Sequence, residues 1–185
     1  MPPKEKVSKA KIQETAFEMT REYGFGQVTA RRLADRLGCS TQPIFRSYEN
    51  MDELREDLFY MSSGYFCEYL LSKKPRSKPM YLTLALGYIE MASKEKNLFE
   101  LIASVDDFGC ETIDEFLKSE DWEQCVDKLP GMENKTFAEK LEVFTMLFMF
   151  VHGMATLIAS NRVELSEKKI KSLITKAYEG FRATR

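Results

Sequence analysis

Histidine is almost missing from this sequence of 185 residues, with His152 its one example, and tryptophan is as rare, with Trp122 alone. That scarcity removes the histidine constellations on which zinc sites and much acid–base catalysis rely. Cys39, Cys67, Cys110 and Cys125 stand far apart, with no CxxC spacing and no histidine partner, so they read as reduced thiols. No GxGxxG pattern occurs, and the glycines of REYGFGQ, Arg21 to Gln27, do not supply one. With no Ser-His-Asp set and no paired-carboxylate site, the chain is read as not an enzyme, and no cofactor or metal is expected. MPPKEKVSKAKIQE lacks the apolar run of a signal peptide, so the cytoplasm is the expected compartment. Alternating strand patterns and internal repeats are lacking too.

What is present is a helix-forming composition, 44% hydrophobic and 30% charged, rich in Leu, Met, Ala, Glu and Lys. The length suits one helical body, or a small head on a larger one. The net charge of -2 hides an asymmetry: residues 1–48 carry a surplus of four positive charges, and the other 137 a surplus of six negative ones. A polyanion responds to local charge within about one Debye length, roughly 8 Å, so a basic head on an acidic body is compatible with DNA.

Ile12, Ala16, Met19 and Tyr23 form the stripe of a first helix, which Gly24 ends. Thr29 is placed to cap a helix Ala30 to Leu37 with Leu33, Ala34 and Leu37 inward. Gly38 permits a left-handed corner, Ser40 is placed to cap the next helix, and Pro43 fits the first turn of a helix from about Thr41 to Tyr48. A fourth helix starts at an Asn50 cap with Glu53 as its capping-box partner, and turns Leu54, Leu58, Met61 and Tyr65 inward on the way to Leu71. Lys73 to Pro79, with two prolines and four cations, reads as an exposed loop.

Further helices are expected over Met80 to Lys94 and Asn97 to Val105, with one or two short ones within Asp106 to Lys128. Thr136 to Ser160 is the most apolar, and Ser166 to Thr184 carries Ile170, Leu173, Ile174, Ala177 and Phe181 inward. Val143 to Asn161 holds no formal charge, a length touching the lower bound of about 17–25 residues for a membrane span. Thr145, His152, Gly153, Thr156 and Ser160 interrupt it, so the expectation is a buried or interface helix and no membrane partner.

Two short helices about a glycine corner form a helix-turn-helix, whose second helix lies in the DNA major groove. Thr41, Gln42 and Arg46 offer outward hydrogen-bonding groups there, Arg suiting guanine and Gln adenine. Thr29 and Ser40, as caps, sit where helix N-termini suit phosphate oxygens. The competing reading makes all of these ordinary solvent-facing residues.

VTARRLADRLGCSTQPIF and the following MDELREDLF resemble the TetR-like transcriptional regulators, over about the first 60 residues. Thr29, Arg31, Leu33, Ala34, Gly38, Ser40, Glu53 and Leu54 match the family pattern, whereas Cys39, Phe45, Tyr48 and Met51 stand where Val, Tyr, Phe and Lys are usual. YIEMASKEKNLFELIAS and VHGMATLIAS are similar to segments of the family's ligand domain and penultimate helix. The resemblance implies an all-α protein, with a three-helix DNA-binding head over residues 1–49 and a larger helical ligand-binding and dimerisation body over 50–185. It implies a repressor that binds a palindromic operator in double-stranded DNA, dimerises through its last two helices, and is released by a small-molecule inducer. Thr29, Arg31, Ser40, Thr41, Gln42, Pro43, Phe45, Arg46 and Tyr48 are then the DNA-binding residues. Tyr88, Met91, Phe99, Ile102, Phe108, Trp122, Phe144, Phe148 and His152 are candidates to line the inducer site, with plain core packing as their competing role. Because Phe45 brings no hydroxyl and Met51 no charge, the alternative is a helical ligand- or protein-binding dimer with a weak or vestigial head.

Overall fold

The computed structural model of the protein describes residues 7–73, 79–103 and 120–183. Among the described residues all regular elements are helical: α1 Lys9–Tyr23, a 3-10 turn Phe25–Gln27, α2 Ala30–Leu37, α3 Gln42–Ser47, α4 Met51–Ser72, α5 Met80–Lys94, α6 Lys96–Ala103, α7 Glu120–Asp127, α8 Phe137–Ala159 and α9 Glu167–Ala183. Two compact units divide the chain, Met1–Tyr65 with Glu95–Ser104, and Phe66–Lys94 with Val105–Arg185. The first therefore extends beyond residues 1–49, since it takes in the start of α4 and all of α6. Most of the Lys73 to Pro79 loop, and the stretch between α6 and α7, lie outside the described residues.

In the first unit α1 packs against α2, α3 and α6. It starts where the Ser8 hydroxyl accepts the Lys11 N–H at 3.2 Å, and it ends at Gly24, whose N–H returns to the Thr20 carbonyl at 2.8 Å. Ile12, Ala16 and Met19 are buried as their spacing predicts, but the stripe ends on Thr20 rather than Tyr23, which is 46% exposed. Burying Thr20 is tolerable because its hydroxyl donates to the Ala16 carbonyl at 2.8 Å, so no donor is stranded.

Leu54 and Leu58 on α4 are fully buried as expected, yet Met61 is exposed and Tyr65 only half-buried. Ser62, Phe66 and Leu70 continue the buried row instead. Steps of four residues advance the row by about 40° per turn, so the buried stripe winds around the helix. Asn50 caps α4 through its side-chain oxygen, which accepts the N–H groups of Asp52 and Glu53 at 2.9 Å each. Glu53 reaches back to the Glu49 N–H at 2.6 Å rather than to Asn50, a capping box displaced by one residue.

In the second unit α8 packs against α5, α7 and α9. The Thr136 hydroxyl accepts the Glu139 N–H, and the Glu139 carboxylate accepts the Thr136 N–H, so both orphan donors are satisfied at the start of α8. Lys140 is buried by its stem and donates to the Asp127 carboxylate at 2.7 Å and carbonyl at 3.0 Å. On α9 the buried residues are Ile170, Ile174 and Tyr178, while Leu173, Ala177 and Phe181 are half-buried. Tyr178 draws the face round because its ring stacks on Tyr81 at 4.0 Å and its hydroxyl donates to the Pro130 carbonyl at 2.7 Å. Phe137–Ala159 is long and apolar enough to cross a membrane by length and composition, and 39% of its most apolar window is buried within the protein.

Candidate nucleic-acid interface

Between α2 and α3 the chain turns through a corner that only a few residue types tolerate. The Thr29 hydroxyl caps α2 by accepting the Arg32 N–H at 3.3 Å. At the other end Gly38 takes the left-handed conformation, φ 66° and ψ 31°, and the N–H groups of Gly38 and Cys39 return to the carbonyls of Asp35 and Ala34. Ser40 does not cap the next helix: Thr41 holds the N-cap position, its carbonyl accepting the N–H groups of Ile44 and Phe45 at 3.1 and 3.2 Å. Pro43 sits in that first turn, where its missing N–H leaves no bond unmade.

α3 has a buried side and an exposed one. Ile44 is fully buried and Tyr48, its C-cap, is 2% exposed. The Tyr48 hydroxyl donates to the Asp57 carboxylate of α4 at 2.8 Å, which removes Tyr48 from the DNA-facing set: its ring and its polar tip are both spent inside the head. Gln13 donates to the same carboxylate at 2.8 Å, and Lys9 pairs with it at 3.0 Å. Burial pushes the Asp57 carboxyl up, but hydrogen bonds from Lys9, Tyr48 and Gln13 outweigh it and hold the group below its ordinary value. Burial, then the neighbouring carboxylate, raises the Tyr48 hydroxyl well above the usual phenol range.

On the exposed side stand Gln42, Phe45 and Arg46, with Thr41 and Pro43 half-buried beside them. Spacings of three and four put Gln42, Phe45 and Arg46 on one face of the helix. Arg46 and Arg31 are exposed and have no ion-pair partner among the described residues. Their neighbours are committed: Arg32 donates to Gln27 and Arg36 to Glu22 at 3.0 Å. Two guanidinium groups are thus left open to an outside acceptor.

Sequence reasoning missed how this unit is braced. Arg21, near the end of α1, donates from Nε and Nη2 to the two oxygens of Glu95 at 2.8 and 2.6 Å. Asn97 of α6 adds a bond to the Arg21 carbonyl at 2.9 Å. No local pattern announces partners 74 and 76 residues apart in the chain.

The second unit holds an apolar cavity of about 40 Å³ whose lining includes Leu70, Tyr81, Tyr88, Phe144, Phe148 and Val151. Three expected ligand residues, Tyr88, Phe144 and Phe148, meet there. His152 joins them, its Nδ1 at 2.9 Å from the Tyr88 hydroxyl and its ring 5.8 Å from that of Phe148. Burial lowers the imidazole below its ordinary value and raises the Tyr88 hydroxyl, so both are neutral near pH 7. Met91 is buried on α5 outside that lining. Phe99 and Ile102 lie on α6, which belongs to the first unit, where Phe99 is 2% exposed in the core. Phe108 and the Trp122 side chain lie outside the described residues.

No protein-family model and no curated protein matches the sequence. Solved structures do match: a TetR-like transcriptional regulator from Rhodococcus sp. RHA1 superposes with a TM-score of 0.64 at 13% identity, over 96% of each chain. This chain has the TetR-like fold. A TetR family protein from Vibrio parahaemolyticus gives a TM-score of 0.65 at 19% identity, over 92% of this chain and 96% of that one. On this TetR-like fold one further surface stands out, a stripe along α8. Met149 and Leu157 are 53% and 43% exposed, and Gly153 between them has open space where a side chain would point.

Proposed function

We propose that the protein is a ligand-responsive DNA-binding transcriptional regulator, a cytoplasmic repressor that binds a palindromic operator as a homodimer. The observation that carries the reading is the exposed face of α3, where Gln42 and Arg46 stand on a helix held from behind by Ile44 and Tyr48. Arg31 lies exposed on the preceding helix as a phosphate partner, and Thr29 caps that helix. A rigid short helix offering Gln and Arg side chains suits the edges of adenine and guanine in the major groove.

Support for the dimer comes from α8, where exposed Met149, Gly153 and Leu157 recur every four residues along one face. A second copy of α8 and α9 covers it in this reading. The inducer would enter beside Tyr88, Phe144, Phe148 and His152. At about 40 Å³ the cavity is far below the roughly 300–1,000 Å³ of a small-molecule site, so an inducer selects an expanded state of the body. Differential affinity for that state is what couples binding to operator release, with α4 as the lever.

Selection from random duplex DNA with the purified chain tests this. Enrichment of a palindrome with half-sites about one helical turn, roughly 34–36 Å, apart is the expected result. Absence of any enriched sequence at low salt, with a dimer still present, favours the helical ligand- or protein-binding dimer instead.

A further inference from the structure

α3 and its C-cap carry three large apolar side chains, and the fold buries two of them. Ile44 is fully buried and Tyr48 is 2% exposed, whereas Phe45, between them in sequence, is 53% exposed. No ring or cation packs against the Phe45 ring among the described residues, and about half of its apolar surface faces outward. It stands instead beside Gln42 and Arg46, three residues after one and next to the other, in the middle of the outward face.

A phenyl ring neither donates nor accepts a hydrogen bond with base edges or phosphate oxygens in the way its two neighbours can. The major groove offers one apolar feature, the C5 methyl group of thymine. We propose that Phe45 is a specificity-determining residue that reads a thymine methyl in each half-site, next to the bases met by Gln42 and Arg46. The inference rests on the DNA-binding reading above and deepens it, because it assigns an A·T-dependent position to each half-site. A helix of six residues presents its whole outward face within a few base pairs, so the three readers act on neighbouring positions.

The test uses the full chain and the operator obtained by selection. Each thymine of one half-site is replaced in turn by deoxyuridine, which deletes the methyl group and keeps the base pair, and affinity is measured by competition. The expected result is one position per half-site at which affinity falls about fourfold, the effect of failing to bury a single methyl group. In Phe45→Ala the same replacement has no further effect, while changes at the bases read by Gln42 and Arg46 still weaken binding. The proposal is overturned if no thymine shows the loss with the native chain, or if Phe45→Ala retains the full loss at that thymine. Failure to select any operator overturns the DNA-binding reading itself, and this inference with it.

Discussion

The two units solve opposite problems. The first is assembled from short helices, α2 of eight residues and α3 of six, and isolated helices of that length do not persist in water. It holds them with polar anchors: the Thr29 cap, the left-handed Gly38, and the Asp57 carboxylate that gathers Lys9, Gln13 and Tyr48. The second unit has α8, of 23 residues, and fills its centre with rings and aliphatic side chains, Lys140 being its buried charged residue among the described ones. Order in the head therefore hangs on a few specific bonds, and order in the body on distributed area. On the proposed function this difference fits: a head that reads DNA must hold its side chains in fixed places, whereas a cavity that admits a ligand must yield.

The largest effect that tests this contrast comes from truncating one core residue in each unit. Ile44→Ala and Ile174→Ala both remove a fully buried side chain, at a cost of about 2–5 kcal/mol each. Their consequences should differ. Ile44 is the only residue of α3 itself that is buried, so its loss should release the helix and, on the proposed function, abolish DNA binding. α9 keeps Ile170 and Tyr178, so Ile174→Ala lowers global stability while α9 stays docked. Hydrogen exchange resolves the two: amides of α3 lose protection selectively in the first variant, and equal local loss in α9 would dissolve the contrast.

Next comes Asp57→Ala, which leaves the buried Tyr48 hydroxyl without its acceptor and should cost about 1–3 kcal/mol in the first unit. A pH signature accompanies it. The folded carboxyl titrates below its ordinary 3.8, so its stabilisation is complete above that value and is lost as pH falls through the lowered folded value, where the unfolded chain has already taken up the proton. Acid titration of head unfolding should be shallower in Asp57→Ala than in the native chain.

Much of this arrangement was legible in local sequence, because caps and corners act over three or four residues. Thr29, Gly38, Asn50 and Thr136 mark ends that the structure places within a residue or so of expectation. Ser40 misled by one position: Thr41 holds the N-cap through its backbone alone, with Pro43 fixing the first turn beside it. What local pattern cannot carry is the choice of core. LFELIA on α6 is amphipathic whichever unit it joins, so its pattern does not announce that Phe99 and Ile102 lie in the first. Tyr178 was overlooked for a related reason: its burial depends on Tyr81 and on the Pro130 carbonyl, both remote in sequence.

A smaller effect is expected at the brace that joins α1 to α6. Arg21 is 42% exposed in its side chain and Glu95 13%, so solvent screens the pair and its coupling in a double-mutant cycle should be about 1 kcal/mol or less. Raising ionic strength should shrink it further, while the Asp57 effect, resting on a buried hydroxyl, persists. Equal salt sensitivity at both sites would remove the distinction between a surface brace and a partly buried hub.

The smallest effect belongs to His152, because His152→Gln can keep a hydrogen bond to Tyr88 and lose only a proton-linked slope. Burial lowers the folded imidazole below its ordinary 6.5, so the unfolded chain binds the proton first as pH falls. Stability of the body should therefore be complete above that value and decline as pH drops through it, levelling off below the folded value. Urea titrations between pH 7.5 and about 5 should show this decline in the native chain and not in His152→Gln. If the slopes coincide, the imidazole is solvated in the folded state, and the Tyr88–His152 pair belongs to a wet, open cavity rather than to the dry packing that sets the body apart from the head.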